Sequence, residues 1–278
     1  MNETMNLTTR KILIHCHIFK NAGTTFDWSL QRTFGQAFID HRDDEPMRTG
    51  AAYLGPYLQE QRQGQLKALS SHHVRFPLPE LENIKLIPLV LLRNPIDRAG
   101  SVYSFERQQK SNSPGAINAK KLTFPEYIDW RMEPQANGVL RNAQVRSTGP
   151  TQEINIIKEQ DYAVALARIK NYFLFGLVER YDESMVLIED QLRPHFPTID
   201  LAHIAQNTST RRQKPISEKI DEIKLALGDE RFENLLENNQ WDIKLYEEAN
   251  KLLSEQIEKT SDFPEKLAHY KIRCQALL

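Results

Sequence analysis

A predicted strand, a glycine-containing loop and a predicted helix follow one another directly near the start of the chain. Residues 11–18 (KILIHCHI) are rich in isoleucine and stop at a short segment that contains Gly23, which is typical of a strand leading into a loop. Apolar residues then recur every fourth position from Phe26 to Phe34, and Gly35 can end the predicted helix. This order favours an α/β fold.

A second strand-then-helix pair follows. Residues 85–92 (KLIPLVLL) are continuously apolar, as expected for a strand buried on both faces of a parallel sheet. Pro88 is expected to limit the hydrogen-bonded ladder of this strand to the residues after it. A helix is predicted to begin at Pro95, and further short strands are predicted at 66–74 and 172–179.

Length and helical periodicity set the expected domain organisation. The 278 residues suit a single α/β domain, 1–278, in which residues 1–10 form an N-terminal tail. Residues 111–150 are irregular and predict loops and short helices over the sheet edge. Apolar residues at helical spacing predict a helical C-terminal region, 215–278. The expected fold class is therefore a parallel sheet flanked by helices, with this region following it.

Charge and cysteine content exclude several function classes. Lys and Arg number 36 and Asp and Glu 37, so the net charge of −1 indicates neither a nucleic-acid partner nor a membrane partner. Cys16 and Cys274 lie at opposite ends of the chain, which indicates no disulfide framework and favours a cytoplasmic protein. No set of His, Cys, Asp and Glu residues has metal-ligand spacing in the sequence, so no metal is expected.

The loop before the first helix has the properties of an anion site. The first backbone N–H groups of a helix have no internal acceptors, and the positive end of its dipole faces such a loop. Gly23 permits close backbone approach, Lys20 adds a positive charge, and Thr24 and Thr25 add hydroxyl donors. A phosphate-bearing ligand is expected, the alternative being an ordinary helix start with a surface lysine. The Walker A motif of ATP-using enzymes is not matched, because the lysine precedes the glycine.

The same loop carries a resemblance to an enzyme family. The segment HIFKNAGTTFDWSL (17–30) resembles the 5′-phosphosulfate loop of sulfotransferases that use 3′-phosphoadenosine 5′-phosphosulfate (PAPS), particularly the carbohydrate sulfotransferases. Their loop reads close to H-I-P-K-T-A-G-T-T, and this chain has Phe19 for the proline and Asn21 for a threonine. The resemblance implies that Lys20 is catalytic. It also implies that the donor is bound by Lys20, Asn21, Ala22, Gly23, Thr24 and Thr25.

A second segment supports the resemblance independently. LLRNPIDRAGSVYSF (91–105) resembles the family motif L-R-D-P-x-x-R-x-x-S-x-Y, which implies that Arg93 and Ser101 hold the 3′-phosphate of the donor. Residues 140–149 and 207–215 resemble two further family segments. The second of these closes on the adenosine end and makes Arg211 another candidate cofactor-binding residue. The family resemblance implies a P-loop-like parallel sheet, in agreement with the pattern.

The resemblance also places a histidine base at the end of the second predicted strand. There the chain reads SHHVRF (71–76), and on a pattern like G-H-x-x-[FY] the base is His73, with His72 in place of the glycine. An alignment shifted by one residue would make His72 the base. His15 and His17 lie inside the first predicted strand, where structural packing is expected.

The expected function is sulfuryl transfer from PAPS to a hydroxyl group of a glycan or another hydroxylated small molecule. Lys20 would neutralise charge on the leaving phosphate, and a histidine would remove the proton of the acceptor. The alternatives are an ATP- and magnesium-dependent small-molecule kinase and a non-catalytic nucleotide-binding module of the same fold. Four arginines could line a groove for an acidic glycan or lie solvated at the surface: Arg75, Arg107, Arg141 and Arg146.

Overall fold

A sheet of five parallel strands lies at the centre of the protein. The computed structural model describes residues 9–61, 65–149, 156–204 and 214–278. The strands lie in the order β2-β3-β1-β4-β5, and every neighbouring pair is parallel, so the predicted α/β fold is confirmed. Their bounds are β1 (Arg10–Cys16), β2 (Phe38–Asp40), β3 (Ala68–Ser71), β4 (Ile84–Leu92) and β5 (Leu174–Leu177).

The parallel register brings the carboxyl ends of three strands to one edge of the sheet. At that edge Cys16 of β1 lies opposite Ser71 of β3 and Val90 of β4. The segments that follow β3, β1 and β4 therefore begin side by side. Ligands of open parallel sheets bind outside this edge, so the fold places the predicted anion loop where a ligand is expected.

Pro88 interrupts the ladder of β4 on one side only. Toward β1 the pairing runs through the proline, which lies opposite Ile14. Toward β5 the pairing begins after the proline, with Leu89 opposite Leu174. The prediction that Pro88 limits the ladder to later residues is therefore wrong toward β1 and correct toward β5. Successive residues of a strand bond to alternate neighbours, so one missing N–H group affects a single side.

Helices occupy most of the remaining described chain. The last four form the predicted C-terminal helical region, and α5 to α7 are the short helices predicted for residues 111–150. Their bounds are α1 (Gly23–Phe34), α2 (Asp44–Met47), α3 (Ala51–Glu60), α4 (Pro95–Gln108), α5 (Pro114–Lys121), α6 (Phe124–Met132), α7 (Ala143–Thr148), α8 (Glu159–Asn171), α9 (Tyr181–Leu192), α10 (Ile216–Leu227), α11 (Asp229–Glu237), α12 (Gln240–Lys259) and α13 (Phe263–Gln275).

Two apolar cores hold these elements together. The larger core packs α1, α8, α9, α12 and α13 on the sheet and extends along the chain from Ile12 to Tyr270. The second core joins α4, α5 and α6 to α10 and α11, with Tyr127 and Leu235 fully buried. The helix that follows β4 thus connects the sheet to a separate helical layer.

The sequence pattern did not predict β2, α2, α3 or α8, and it predicted two strands that are too long. β3 and β5 have four residues each, within the longer ranges predicted. β2 has three residues and pairs only with β3. Such a short edge strand carries too few residues for an alternating pattern, so its conformation comes from pairing with its neighbour.

The starts of α7 and α12 cap each other. Oδ1 of Asn142 accepts hydrogen bonds from the backbone N–H groups of Trp241 (2.9 Å) and Asp242 (3.1 Å). The carboxylate of Asp242, which is fully buried, accepts in turn from the N–H groups of Gln144 (2.9 Å) and Val145 (2.8 Å). Each helix therefore pairs free N–H groups at the start of the other. These bonds attach the C-terminal helical region to α7.

The two cysteines are free thiols. Cys16 is buried at the end of β1, and Cys274 is partly exposed on α13. None of the helices in the described ranges is both long enough and apolar enough to cross a membrane. The cytoplasmic location stays a prediction.

Candidate active site

The loop between β1 and α1 presents free backbone N–H groups. Lys20 and Ala22 adopt left-handed backbone conformations, with φ of 65° and 59°. No side chain caps α1, and within the described ranges the N–H groups of Gly23 and Thr24 have no hydrogen-bond acceptor. These groups lie at the positive end of the helix dipole, which is the arrangement that binds phosphate and sulfate groups.

Gly23 is required by packing beneath this loop. A Cβ atom built onto Gly23 would lie 2.2 Å from Cδ2 of His17. The imidazole of His17, which directly follows β1, therefore packs against the first turn of α1. The sequence predicted a glycine here for approach to a ligand, and the structure adds this second reason.

Asp27, on α1, holds together His15 of β1 and His17, which follows the end of β1 at Cys16 instead of lying inside the strand as predicted. Its carboxylate oxygens lie 2.8 Å from Nδ1 of His15 and 2.8 Å from Nδ1 of His17, and Oγ of Ser70 lies 2.9 Å from the same atom of His15. Burial opposes ionisation of Asp27, but the two imidazoles hold the pKa of its carboxyl well below the usual range. Residues two apart on a strand share a face, so the spacing of the histidines could have predicted a common partner.

The structure also brings together three residues that could ligate a metal ion: His15, His17 and Asp27. Their spacing in the sequence did not indicate such a group. One ligand atom from each lies within 4.8 Å of the others, and all three residues are buried. Both carboxylate oxygens already pair with imidazole nitrogens. These hydrogen bonds explain why the three residues lie together: they support the loop. The absence of a metal stays a prediction.

The structure brings Arg93 and Ser101 together at the end of β4. Nη1 of Arg93 donates to Oγ of Ser101 (2.9 Å) and to the carbonyl oxygen of Lys20 (2.9 Å). Nε and Nη2 donate to Asp97 at 2.9 and 2.6 Å. Asp97 thus orients the guanidinium, and the two sites that the sequence predicted separately adjoin through Lys20.

The side chain of Lys20 is partly buried. Its Nζ atom is 4.2 Å from the ring centroid of Phe105, on α4. Burial, together with the nearby charge of Arg93, lowers the pKa of Lys20 to about 8. The side chain is therefore mostly an ammonium at neutral pH and loses its charge in mildly alkaline solution.

The other predicted loop residues have different environments. The side chain of Asn21 is buried and turned toward the sheet, where Nδ2 donates to the carbonyl oxygen of Leu91 at 2.7 Å. Thr25 is buried, whereas Thr24 is exposed at the start of α1. Their roles as cofactor ligands stay predictions. Arg211 lies outside the described residues.

Two buried side chains that the sequence did not single out as site residues support the loop and Arg93. Nε of Arg98 donates to the carbonyl oxygen of Phe19 at 3.0 Å. Gln144 of α7 bonds both the backbone of Arg93 and the side chain of Asn21. Both residues lie in segments with family resemblance, but residue type alone did not distinguish them from packing residues.

The two adjacent histidines have different partners. Nδ1 of His72 lies 2.7 Å from the carbonyl oxygen of His17, and the two rings are 4.1 Å apart. Burial and His17 lower the pKa of His72 to about 4. Nε2 of His73 lies 3.0 Å from the carboxylate of Asp44 on α2. Burial lowers the pKa of His73, and Asp44 opposes that effect.

The four arginines considered for an acidic groove contact different segments. Nη2 of Arg141 donates to the carbonyl oxygen of Ala136 at 2.5 Å, and Arg146 reaches the carbonyl oxygen of Arg141 at 3.4 Å. Arg107 instead donates to the hydroxyl group of Tyr103 on α4, and Arg75 lies beside Gly50. Arg141 and Arg146 are therefore neighbours, but these contacts do not join the four into one groove.

Fold and site together define an α/β protein with an anion-binding loop at the edge of a parallel sheet, and the chain belongs to the sulfotransferase family. The model of that family, described as "Sulfotransferase family", matches residues 3–247. A relative is an uncharacterized protein of Archaeoglobus fulgidus, 29% identical over 255 residues; the match covers 86% of this chain and 96% of the relative. The predicted family is confirmed, and it supports sulfuryl transfer as the general reaction.

The contact between Gly23 and His17 can be tested by stability measurements. The Gly23→Ala substitution forces a methyl group into the His17 ring, and we expect the free energy of unfolding to fall by about 1–3 kcal/mol, as for other overpacked cores. In a His17→Ala background the same substitution should cost much less, because the ring is absent. Urea unfolding of the four proteins measures this coupling, and equal costs in both backgrounds would show that the glycine is not required by His17.

Proposed function

We propose that the protein transfers a sulfuryl group from PAPS to a hydroxyl group of a glycan or of another hydroxylated metabolite. The observation that carries the proposal is the position of Arg93, whose Nη1 atom donates both to the loop, at Lys20, and to Ser101. A 5′-phosphosulfate at the loop and a 3′-phosphate at Arg93 and Ser101 would occupy adjoining parts of one site. A nucleotide with phosphates on both ribose positions suits this arrangement.

The groups around this site suit such an anion. The loop offers the backbone N–H groups of Gly23 and Thr24, and Lys20 offers an ammonium. Arg93 offers its positive charge and the remaining N–H group of a guanidinium whose other donors are paired with Asp97, Ser101 and Lys20. Ser101, whose Oγ accepts from Arg93, adds a hydroxyl group that can itself donate to a phosphate oxygen. Bound PAPS would supply the sulfuryl group and a phosphate leaving group.

Lys20 would stabilise the charge that develops on the leaving phosphate. Its ammonium is partly removed from water, and a charge in such an environment acts more strongly on a neighbouring anion than in bulk solvent. The backbone N–H groups at the start of α1 would act on the same charge. This interaction is strongest during transfer, so it lowers the barrier more than it tightens ground-state binding.

His73 would remove the proton of the acceptor hydroxyl. Asp44 accepts a hydrogen bond from Nε2, which leaves the lone pair on Nδ1 free to take a proton. His72 is the weaker candidate, because its pKa is lowered to about 4. A base whose pKa lies closer to the working pH takes up a proton more effectively.

The strand order supports an in-line arrangement of donor and acceptor. The predicted 3′-phosphate group, Arg93, follows β4, whereas His73 follows β3, and β1 with its loop lies between them. The nucleotide would therefore extend toward the β4 side, and the acceptor would approach from the β3 side. The sulfuryl group would pass between them at the loop.

The nucleotide preference of the protein tests this proposal. We expect 3′,5′-ADP without magnesium to stabilise the fold by about 2.7 kcal/mol at a hundredfold excess over Kd. AMP lacks the 3′-phosphate and should stabilise it much less. Thermal unfolding with each nucleotide, followed by assays with PAPS and a panel of hydroxylated acceptors, is the measurement.

A matched pair of serine variants controls the nucleotide experiment. Ser101→Ala should weaken the effect of 3′,5′-ADP, whereas Ser104→Ala, on the same helix and exposed, should not. Equal stabilisation by 3′,5′-ADP and AMP, or stabilisation only by ATP with magnesium, would contradict the proposal and favour a kinase. Specific 3′,5′-ADP binding without turnover of PAPS on any acceptor would favour a non-catalytic module.

The charge of Lys20 should limit activity at alkaline pH. Since its pKa is near 8, kcat/KM should fall as the pH rises through that value and the ammonium is lost. Lys20→Ala should lower kcat by about a hundredfold or more while changing the Kd of 3′,5′-ADP far less. Lys20→Arg stays charged and should remove the alkaline fall. Near-normal kcat in Lys20→Ala would assign the residue to binding alone.

The two adjacent histidines are separated by alanine substitution. His73→Ala should lower kcat by about a hundredfold or more, and His72→Ala considerably less. Because burial lowers the pKa of His73, the acid side of the wild-type kcat/KM profile should titrate below the ordinary histidine value of about 6.5. Assays of both variants across pH with one acceptor measure this. If only His72→Ala is inactive, the base is His72. If both variants stay active, the base is another residue.

A further inference from the structure

Gln144, on α7, connects the loop and Arg93 through one side-chain amide. Its Oε1 atom accepts hydrogen bonds from the backbone N–H group of Arg93 (2.8 Å) and from Nδ2 of Asn21 (2.8 Å). Its Nε2 atom donates to the carbonyl oxygen of Arg93 (2.9 Å). Only this orientation of the amide pairs all these groups, because Arg93 offers one donor and one acceptor.

Asn21 carries the connection into the loop. Its side chain is 1% exposed, and Nδ2 also donates to the carbonyl oxygen of Leu91 in β4. The Gln144 amide thus contacts the residue that follows Lys20 and the full backbone of Arg93. These three hydrogen bonds, together with the one from Nη1 of Arg93 to the carbonyl oxygen of Lys20, join the two anion-binding groups.

The backbone of Gln144 is held independently of its side chain. Asp242, on α12, accepts from the N–H groups of Gln144 and Val145. The start of α7 is therefore attached to the C-terminal helices through backbone atoms that any substitution at position 144 retains. The loop also has supports of its own, since Arg98 donates to the carbonyl oxygen of Phe19 and the N–H group of Asn21 donates to that of Ile18.

We propose that Gln144 is a positioning residue that sets the separation between the loop and Arg93, so that both phosphates of one nucleotide bind at the same time. The inference rests on the proposed function. A ligand of fixed span gains from two sites only when their separation matches it, and a displacement of about 1 Å is enough to lose much of that gain. A ligand with a single phosphate, bound at the loop, does not depend on this separation.

The test compares two nucleotides on one isosteric variant. Gln144→Met keeps the volume of the side chain and removes its polar atoms. We expect the Kd of 3′,5′-ADP, measured by calorimetry, to rise by about tenfold or more, and that of AMP to change by less than about threefold. The preference for the doubly phosphorylated nucleotide should therefore fall.

Thr148→Val is the matched control. Thr148 is fully buried on the same helix, and its hydroxyl donates to the carbonyl oxygen of Gln144 at 2.8 Å. The variant loses a buried hydrogen bond of α7 without removing a contact to Arg93 or Asn21. It should be less stable than the wild type but keep the nucleotide preference, which separates positioning from a general loss of stability.

The outcomes distinguish this inference from the proposed function. A wild-type protein without preference for 3′,5′-ADP over AMP contradicts the proposed function. A wild-type preference that Gln144→Met retains, or equal weakening of both nucleotides in that variant, overturns the role of Gln144. If Gln144→Met does not fold, Gln144→Asn replaces it, because its amide is one methylene shorter and cannot span the same partners; an unchanged preference there overturns the inference as well.

Discussion

The parallel pairing of β1 with β3 on one side and β4 on the other is the constraint on which the site depends. Because the three strands run in the same direction, their carboxyl ends meet at one edge, with Cys16 opposite Ser71 and Val90. Each strand is followed directly by part of the site: β1 by the anion loop, β3 by His72 and His73, and β4 by Arg93. Separate parts of the chain therefore contribute to one site without a long connection, and β1 with its loop lies between the other two.

The loop itself is held by buried polar groups rather than by apolar packing alone. Asp27 of α1 pairs with His17, which follows β1 and packs against Gly23. Arg98 donates to the carbonyl oxygen of Phe19, and Gln144 bonds both Asn21 and the backbone of Arg93. Each group is buried and has partners, as the cost of an unpaired polar group requires. A loop supported in this way keeps its N–H groups directed at the ligand position before any ligand is bound.

The sequence predicted the surroundings of some site residues correctly and not those of others. Arg93 and Ser101 were expected to act together, and in the structure Nη1 of Arg93 lies 2.9 Å from Oγ of Ser101. Asn21 was expected among the cofactor ligands because of its place in the motif, yet its side chain is turned into the protein. A motif describes which residues are near a ligand, and it does not say which of them face inward. That distinction depends on partners from β4 and α7, which the local sequence does not contain.

The sequence by itself determined the order of β1, loop and α1, the helix after β4, the helical C-terminal region and the family, because these depend on spacing and propensity among neighbouring residues. Only the tertiary structure decided which groups meet across the chain. Gln144 and Asp242 are separated by 98 residues, yet Asp242 accepts from the N–H group of Gln144, whose side chain bonds Asn21 and Arg93. The proposal of His73 as the base likewise rests on the contacts of His72 with His17 and of His73 with Asp44. Such contacts follow from packing between distant elements, which no local pattern encodes.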